Sequence, residues 1–372
     1  MTGPVYGAAA RGEWPLDPAI AYLNHGGFGV TPNEVLAAQA EWRARMERNP
    51  LRVMTLELPA AQRAAAATLA AYLGARGDDM VFVANATAGV NAVLRSLDFR
   101  PGDEILLTSL GYGAVAKAAR YVAERSGARI VEVPIPLPLD DMAAVAAVVA
   151  ARLGPRTRLA IFDHVASSSA LVLPVAELTR LVRGAGARVL IDGAHAPGQV
   201  ALDLPAIGAD WYVGNCHKWL MAPRGCGFLW APPESQALVH PLTISHGYGT
   251  GFLAEFDWTG TRDPTPFLAV PAAIACHQRL GGAALMARND ALARDAARLL
   301  AAAWGTETGP AEGAFAAMAT VRLPLADAKA PEEGIALQRR LSDEYGIEVA
   351  VIAQAGPLWV RISAQAYNEL AD

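Results

Sequence analysis

The sequence is poor in lysine and cysteine and has no long apolar run. Lys and Arg number 31 in 372 residues, but only three are lysines, Lys117, Lys218 and Lys329. With 36 acidic residues the net charge is -5, so we expect no basic surface for a nucleic-acid backbone. The apolar stretches are alanine-rich and shorter than the roughly 18 residues that a membrane span requires. We therefore expect neither nucleic acid nor a membrane as a partner.

The cysteines are too few and too scattered for a structural framework. Cys216, Cys226 and Cys276 give neither a set of disulfides nor paired zinc-binding motifs. The first residues lack the basic and apolar regions of an export signal. These features predict a cytoplasmic protein without a metal site.

Short apolar runs alternate with Ala/Leu-rich helical patterns over much of the chain. This alternation predicts a mostly parallel sheet covered on both faces by helices, the α/β class. The last two runs are too close in sequence for a crossover helix, so at least one strand should be antiparallel. The predicted strands are residues 80–85, 104–109, 129–135, 158–164, 188–194, 211–215 and 226–231, and helices are expected around 60–73, 89–97, 113–126, 141–153 and 175–184.

The pattern changes near residue 275. An Ala/Arg-rich helix is followed by strand-like runs at 317–324, 347–352 and 358–363, with a helix around 332–345. These elements predict a smaller α+β domain. We expect a large domain over 51–274 and a small domain over 275–372 that residues 1–50 join.

Polar residues follow five of the predicted strands. They are Asn85 and Thr87, residues 109–112, residues 164–169, residues 192–195 and residues 215–218. Ligands bind at the carboxyl ends of the strands in such sheets, so we expect these residues to share one crevice.

Lys218, in "VGNCHKWLMAPRGCGFLW", is the first candidate for chemistry. A lysine ammonium near apolar strand ends and other cations loses hydration, its pKa falls, and the neutral amine becomes a nucleophile toward an aldehyde. A surface ion pair is the alternative for a lysine considered without its flanking residues.

Three other residues allow a functional and a structural interpretation. Asp192 follows an apolar strand, and its carboxylate would be satisfied by a protonated ring nitrogen or would cap the next helix. Thr87 stands where a strand becomes a helix, as a phosphate ligand or as a helix cap. Tyr112 would stack on a flat ring or simply pack.

These motifs together resemble a known family. The segments "NATAGVN", "DGAHAPG" and "HKWLMAPRGCGFLW", in this order, resemble the class V aminotransferase group of fold type I enzymes that use pyridoxal phosphate (PLP). Within that group, "YLNHGGFGVTP", "FDWTGTRDPTPFLAVPAA" and "WVRISAQAYN" are similar to the isopenicillin N epimerase-like branch. The resemblance covers nearly the whole chain and implies a homodimer with its active site at the subunit interface.

The resemblance also implies a role for individual residues. Lys218 would bond covalently to the cofactor, Asp192 would pair with its ring nitrogen, and Arg361 would bind the substrate α-carboxylate. Asn24 and His25 would form part of the opposite wall. The remaining cofactor contacts would come from Ala86, Thr87, Asn215 and His217 at the phosphate, Tyr112 stacked on the ring, His195 and Ser167 at the ring hydroxyl, and Thr261 of the neighbouring subunit at the phosphate.

The sequence leaves the reaction open among three fates of the Cα carbanion. Epimerisation needs an acid opposite Lys218, for which Tyr112, His25 or a thiol are candidates. The sequence contains every residue that a carbon–sulfur lyase would require. An aminotransferase would need a second anion site, for which Arg224 or Arg262 are candidates. No cysteine follows Cys276, so a persulfide-forming cysteine desulfurase is not expected, and Cys216 and Cys226 are expected to pack.

Two readings outside this enzyme class are disfavoured. A dinucleotide-binding oxidoreductase should carry its glycine motif between a strand and a helix, but "RGAGARVLIDG" lies between a helix and a strand. A non-catalytic regulator of the same fold should lack the lysine or carry a DNA-binding domain.

Overall fold

A computed structural model describes residues 3–139, 141–310, 314–325, 331–354 and 356–372. Its centre is a seven-stranded sheet with the strand order β2-β8-β7-β6-β5-β3-β4. Strand β8 runs antiparallel to its neighbours β2 and β7, and the other pairs are parallel. The strands of this sheet are β2 (Met80–Val83), β3 (Glu104–Thr108), β4 (Arg129–Val133), β5 (Thr157–Asp163), β6 (Arg188–Gly193), β7 (Trp211–Asn215) and β8 (Gly227–Trp230).

All seven strands predicted from the sequence are present, and the prediction of one antiparallel strand is confirmed. The first run ends at Val83 rather than residue 85, because Asn85 caps the helix that follows. The run at 347–352 is not one strand. It divides at Val349, since residues before and after this point pair with different strands.

Helices cover both faces of the sheet. Side chains alternate between faces along a strand: Val81, Leu159 and Leu190 belong to one buried cluster, and Met80 and Phe82 belong to the other. The helices are α1 (Asn33–Arg48), α2 (Pro50–Arg52), α3 (Leu58–Tyr72), α4 (Ala86–Ser96), α5 (Gly113–Ser126), α6 (Ala143–Ala150), α7 (Val175–Gly184), α8 (Leu204–Ile207), α9 (Pro233–Gln236), α10 (Phe252–Asp257), α11 (Thr265–Leu268), α12 (Val270–Arg279), α13 (Ala283–Trp304) and α14 (Pro331–Tyr345).

A smaller assembly follows the main sheet. It contains an antiparallel sheet in the order β11-β12-β9 and a parallel pair of β1 with β10. Helices α13 and α14 contact this sheet. Its strands are β1 (Ala21–Tyr22), β9 (Met318–Arg322), β10 (Ile347–Glu348), β11 (Ala350–Ala353) and β12 (Leu358–Ser363). The domain limits at residues 50 and 274 stay predictions.

Helix length and hydropathy also bear on a membrane location. Among the described helices, none combines the length and the apolar character that crossing a bilayer requires.

Candidate active site

A cavity of about 410 Å³ lies at the carboxyl ends of the main-sheet strands. The structure brings to it residues from the ends of β2, β3, β5, β6 and β7, from the N-terminal segment and from β12. Its lining residues are Gly26, Gly27, Phe28, Asn85, Ala86, Thr87, Tyr112, Asp163, Ser167, Asp192, Ala194, His195, Asn215, His217, Lys218, Arg224 and Arg361. A hollow of about 310 Å³ beside α13 and α14 is lined mainly by aliphatic side chains, so the chemistry belongs to the first cavity.

Lys218 lies in the turn that follows β7. Its Nζ is 2.8 Å from Nε2 of His195. The surrounding protein removes hydration from the ammonium, and the charge of Arg361 adds repulsion, which together lower the pKa of Lys218 to about 8 against the opposing pull of nearby carboxylates. A fraction of the amine is therefore neutral at physiological pH and available to attack an aldehyde.

Trp219 fixes the proton on the imidazole beside Lys218. Its indole Nε1 donates to Nδ1 of His195 over 3.4 Å, and an indole N–H can only donate. Burial and the charges of Lys218 and Arg361 hold the pKa of His195 well below its usual range, so the ring is neutral. In the state in which the amine of Lys218 is neutral, the single ring proton then lies on Nε2 and can donate to that amine.

Asp192 and Asp163 are adjacent carboxyl groups at the floor of the cavity. They are direct partners in the register of β5 and β6 and lie on the same face of the sheet. Oδ1 of Asp192 accepts the N–H of Ala194, and the next helix begins only at Leu204, so Asp192 is not a helix cap. Asp163 was not among the residues predicted from the sequence, although "RLAIFDH" has an aspartate at the end of an apolar run, as "RVLIDGA" has.

The two carboxyl groups differ in electrostatic environment. Burial raises the pKa of Asp192, while the N–H of Ala194 and the charge of Lys218 lower it. Burial and the proximity of Asp192 raise the pKa of Asp163 well above its usual range. A protonated Asp163 beside an ionised Asp192 is the charge state that this pair favours. Asp192 can then face a protonated ring nitrogen.

The start of α4 forms another wall of the cavity. Oδ1 of Asn85 accepts the N–H of Ala88, so Asn85 rather than Thr87 is the helix cap. The N–H of Ala86 donates to Oδ1 of Asn215 over 2.8 Å, which joins two of the predicted phosphate ligands to each other. Thr87 lines the cavity beside them. A helix N-terminus with this polar side chain suits an anion.

His217 lies directly before Lys218 on the same wall. Its Nδ1–H donates to the carbonyl oxygen of Cys226 over 2.6 Å. Burial lowers the pKa of His217, and the charges of Lys218 and Arg224 lower it further, against that hydrogen bond. A neutral ring that donates through Nδ1 leaves Nε2 as the free atom for a ligand.

Arg361 reaches the opposite side of the cavity from β12. Its Nη1 donates to the carbonyl oxygen of Ser167 over 2.6 Å and its Nη2 to Oδ1 of Asn24 over 2.9 Å. Burial lowers its pKa to about 10, so it stays charged at neutral pH. Its buried Nε has no hydrogen-bond partner among the described residues, which fits an arginine held ready for a carboxylate.

The structure places Ser167 at the cavity and His25 behind it. Ser167 lines the cavity, but its carbonyl and hydroxyl oxygens accept from Arg361. His25 is fully buried and does not line the cavity, and its role at the substrate wall stays a prediction. Its Nε2–H donates to the carbonyl oxygen of Lys218, and its Nδ1 accepts from the hydroxyl of Tyr367.

Gly29 brings the N-terminal segment against the lysine turn. A Cβ at Gly29 would lie 2.5 Å from the carbonyl oxygen of His217 and 2.7 Å from that of Lys218. The backbone approach is therefore possible only with glycine at this position.

The other candidate residues differ in whether they line the cavity. Tyr112 lines the cavity and is 44% exposed. Thr261 is exposed and lies outside the lining of this chain's own cavity. Cys216 and Cys226 are free thiols that are fully buried and do not line the cavity, which agrees with a packing role.

The residues around Lys218 fit pyridoxal phosphate. A lysine of lowered pKa, a buried carboxylate and a helix N-terminus face one cavity and match the cofactor's aldehyde, ring nitrogen and phosphate in chemistry. The unpartnered Nε of Arg361 provides a further site for the carboxylate of an amino acid.

Comparison with known proteins gives concordant relatives. The chain is 35% identical to isopenicillin N epimerase of Streptomyces clavuligerus, over 96% of this chain and 94% of that protein. It is 32% identical to a probable chloroplastic L-cysteine desulfhydrase of Arabidopsis thaliana, over 96% of this chain and 81% of that protein.

Two solved structures are similar to this chain. A C-DES variant with glycine covalently linked to the PLP cofactor superimposes with a TM-score of 0.80 and 26% identity, over 97% of this chain and 95% of that one. A cysteine desulfurase of Thermococcus onnurineus has a TM-score of 0.83 at 19% identity, over 100% and 96% of the two chains, which shows the fold alone.

The family assignment follows from these matches. The neighbouring structures are fold type I enzymes, and pyridoxal phosphate is the cofactor that the family and the C-DES structure indicate. The aminotransferase class-V family model matches residues 21–368, and the chain belongs to this family of PLP-dependent enzymes.

Proposed function

We propose that this protein is a PLP-dependent epimerase that inverts the configuration at Cα of an α-amino acid. The observation that carries the proposal is the placement of Lys218, Asp192 and Arg361 around one cavity, with Lys218 of lowered pKa beside His195. The isopenicillin N epimerase relative at 35% identity supports the same reaction class.

Each residue has a distinct task in this proposal. When bound, pyridoxal phosphate accepts the electron pair left at Cα, and the carboxylate of Asp192 keeps its ring nitrogen protonated. Arg361 binds the α-carboxylate through Nε and the guanidinium edge beside it. The amine of Lys218 removes the Cα proton, and His195, whose Nε2 lies 2.8 Å from that amine, positions it.

Inversion requires a second proton carrier, and we assign this role to Tyr112. Of the groups that the sequence offered, His25 and both thiols near Lys218 are buried outside the cavity lining, whereas the phenol of Tyr112 lines it. A phenol donates a proton and recovers it from solvent through its exposed side.

A carbon–sulfur lyase is the second candidate. The L-cysteine desulfhydrase relative at 32% identity favours it, as does the complex of the cystine C–S lyase C-DES with cysteine persulfide, at 25% identity and a TM-score of 0.79 over 95% of this chain and 94% of that one. The lyase would need Lys218 as the base and Arg361 to bind the α-carboxylate, but it would need no second acid. Cleavage of a carbon–sulfur bond in the substrate therefore stays among the candidate reactions. We exclude only a mechanism in which a loop cysteine shortly before Arg361 forms a persulfide, because the sequence has no cysteine between Cys276 and Arg361.

The assembly that we propose is a homodimer in the cytoplasm. Thr261 is exposed and lies away from its own chain's cavity, as a residue donated to a neighbouring subunit would be. Phe28 is 70% exposed at the cavity edge, where a second copy would cover it. The three buried free thiols are compatible with a reducing compartment.

The test is to incubate the protein with L- and D-amino acids and cysteine conjugates in deuterated water. Deuterium at Cα with inverted configuration supports the epimerase, and loss of that inversion in Tyr112→Phe supports the second acid. Pyruvate with ammonia would instead establish the lyase, and conversion of the cofactor to its amine form would establish an aminotransferase. Lys218→Ala should abolish every one of these outcomes, while Lys117→Ala, at an exposed position on α5, should change none.

A further inference from the structure

Arg224 is a charged residue of the cavity that the reaction described above does not use. It lies on the segment between β7 and β8, lines the cavity with Lys218 and Arg361, and is exposed. Its guanidinium has no hydrogen bond or ion pair with any of the residues that the structure describes. The five N–H donors of this guanidinium are thus free for a ligand.

The backbone that carries Arg224 is well fixed. Met221, fully buried, adopts φ 60°, a left-handed conformation that is unusual for a non-glycine residue. Its N–H donates to the carbonyl oxygen of Lys218, and the N–H of Ala222 donates to that of Cys216. The hydroxyl of Thr31 donates to the carbonyl oxygen of Ala222. Arg224 therefore projects from a held turn rather than from a loose loop.

The electric field of Arg224 reaches the side of the cavity near the N-terminal segment. Its charge contributes to the lowered pKa of His25, and it opposes the burial that raises the pKa of Tyr22. Arg361 acts on Tyr22 in the same direction. Tyr22 thus lies within electrostatic range of both arginines, and both arginines line the same cavity.

Arg262, the other arginine that the sequence offers as an anion site, does not line this cavity. Its guanidinium lies 4.7 Å from the ring centroid of Phe267. The charge of Asp257 opposes the burial that lowers its pKa. Of the two arginines, the structure therefore leaves Arg224 as the one that faces the cavity.

We propose that Arg224 binds a second carboxylate at the end of the substrate side chain, so that the preferred substrate is an amino acid with two carboxylates. The inference rests on the proposed function, which gives the α-carboxylate to Arg361. A planar guanidinium matches a carboxylate with two parallel hydrogen bonds. The cofactor phosphate is the less favoured occupant, because the start of α4 with Thr87 and the ring of His217 already provide a phosphate site.

The test measures binding to the PLP-loaded protein through the change in cofactor absorbance on titration. Aspartate, glutamate and 2-aminoadipate are compared with asparagine, glutamine and norleucine, which lack the second charge. Hydrogen bonds between charged groups contribute about 1.5–3 kcal/mol, so the best diacid should bind about 10- to 100-fold more tightly than its neutral counterpart.

Variants locate the origin of that preference. Arg224→Gln should reduce the ratio to near one by weakening diacid binding alone, and Arg224→Lys should retain part of it. Arg120→Gln removes the same charge from an exposed position on α5 and should leave the ratio unchanged.

Three results would overturn the inference while leaving the proposed function intact. They are equal binding of diacids and neutral analogues by the native protein, a preference that survives in Arg224→Gln, and a loss of bound PLP in Arg224→Gln, which would place the arginine at the phosphate. If no amino acid changes the absorbance of the native holoprotein, the proposed function itself fails and the inference fails with it.

Discussion

Nζ of Lys218 lies 2.8 Å from Nε2 of His195, and the residue next to that lysine donates to the other nitrogen of the same ring. Trp219 is therefore a positioning residue that acts on the lysine through the histidine. Without the indole N–H, the proton of His195 is free to occupy Nδ1, and Nε2 then presents a lone pair to the amine.

Trp219→Phe should lower kcat about tenfold, which corresponds to the roughly 1.4 kcal/mol of one buried hydrogen bond. It should also move the pH dependence of the rate, which a purely structural defect would not do. Trp211→Phe is the matched control, because the buried Nε1 of Trp211 has no hydrogen-bond partner among the described residues. An unaltered pH profile in Trp219→Phe would refute the positioning role.

The lowered pKa of Lys218 predicts how fast the apoprotein captures pyridoxal phosphate at different pH values. The ammonium cannot attack the aldehyde, so below a pKa of about 8 the rate should fall about tenfold per pH unit, and above it the rate should level off. Stopped-flow absorbance in one series of buffers between pH 6 and pH 10 measures the rate of PLP capture directly. A midpoint near the ordinary lysine value of 10.5 would contradict the account.

Arg361→Gln should shift that midpoint upward, because the arginine charge is one cause of the lowered pKa of Lys218. Arg120→Gln, exposed on α5, provides the control for the loss of one positive charge. A midpoint that stays in place in Arg361→Gln would assign the shift to burial alone.

Replacement by asparagine should lower activity far less at Asp163 than at Asp192. Asp163→Asn reproduces a neutral protonated acid and should retain activity within about tenfold, whereas Asp192→Asn removes the charge that holds the ring nitrogen and should lose about a hundredfold or more. Equal losses in both variants would show that Asp163 also works as an anion.

The raised pKa of Asp163 also links the stability of the apoprotein to pH. A carboxyl group whose folded pKa exceeds its unfolded value stabilises the fold below the unfolded pKa of 3.8, and this contribution is lost as the pH rises through the folded pKa. The contribution of Asp163 to the melting temperature of the native apoprotein should therefore fall as the pH is raised through that range, whereas buried histidines of lowered pKa, such as His25, act in the opposite direction. Asp163→Asn should weaken this dependence, and an identical pH dependence of Tm in the two proteins would contradict it.

Gly29→Ala should damage the site without touching a reactive group. The added Cβ would lie 2.5 Å from the carbonyl oxygen of His217, and shifting that backbone should cost about 1–3 kcal/mol. We expect a lower Tm and less bound PLP, measured by thermal unfolding and absorbance. Gly12→Ala, where an added Cβ meets nothing within 4 Å, should leave both unchanged.

The main sheet could be read from the sequence because its strands are local signals. Runs such as those of β2 and β8 are buried at every position, so they appear as unbroken apolar segments between helical patterns. Strand-end residues such as Asp192 and Lys218 could be placed by the same logic. Asp163 carried an identical signal, and its omission was an error of interpretation.

Contacts between distant parts of the chain could not be read in this way. His25 was expected at the cavity, but its pairing with Tyr367 depends on residues 342 positions apart. Nothing local in "YLNHGGFGVTP" reveals that partner. The division of residues 347–352 into two strands likewise depends on β1, which lies far away in sequence and pairs with residues 347 and 348, whereas residues 350–353 pair with β12.

The hydrogen bond between Arg361 and Asn24 joins residues 337 positions apart, and β1 pairs with β10 at the other end of the chain. During synthesis on the ribosome, Asp163, Asp192 and Lys218, the residues that we propose to surround the cofactor ring, are all translated well before Arg361. The nascent chain can thus assemble the wall of the cavity that contains Lys218 before the wall that contains Arg361, so the two sides of the cavity form in a fixed order during synthesis.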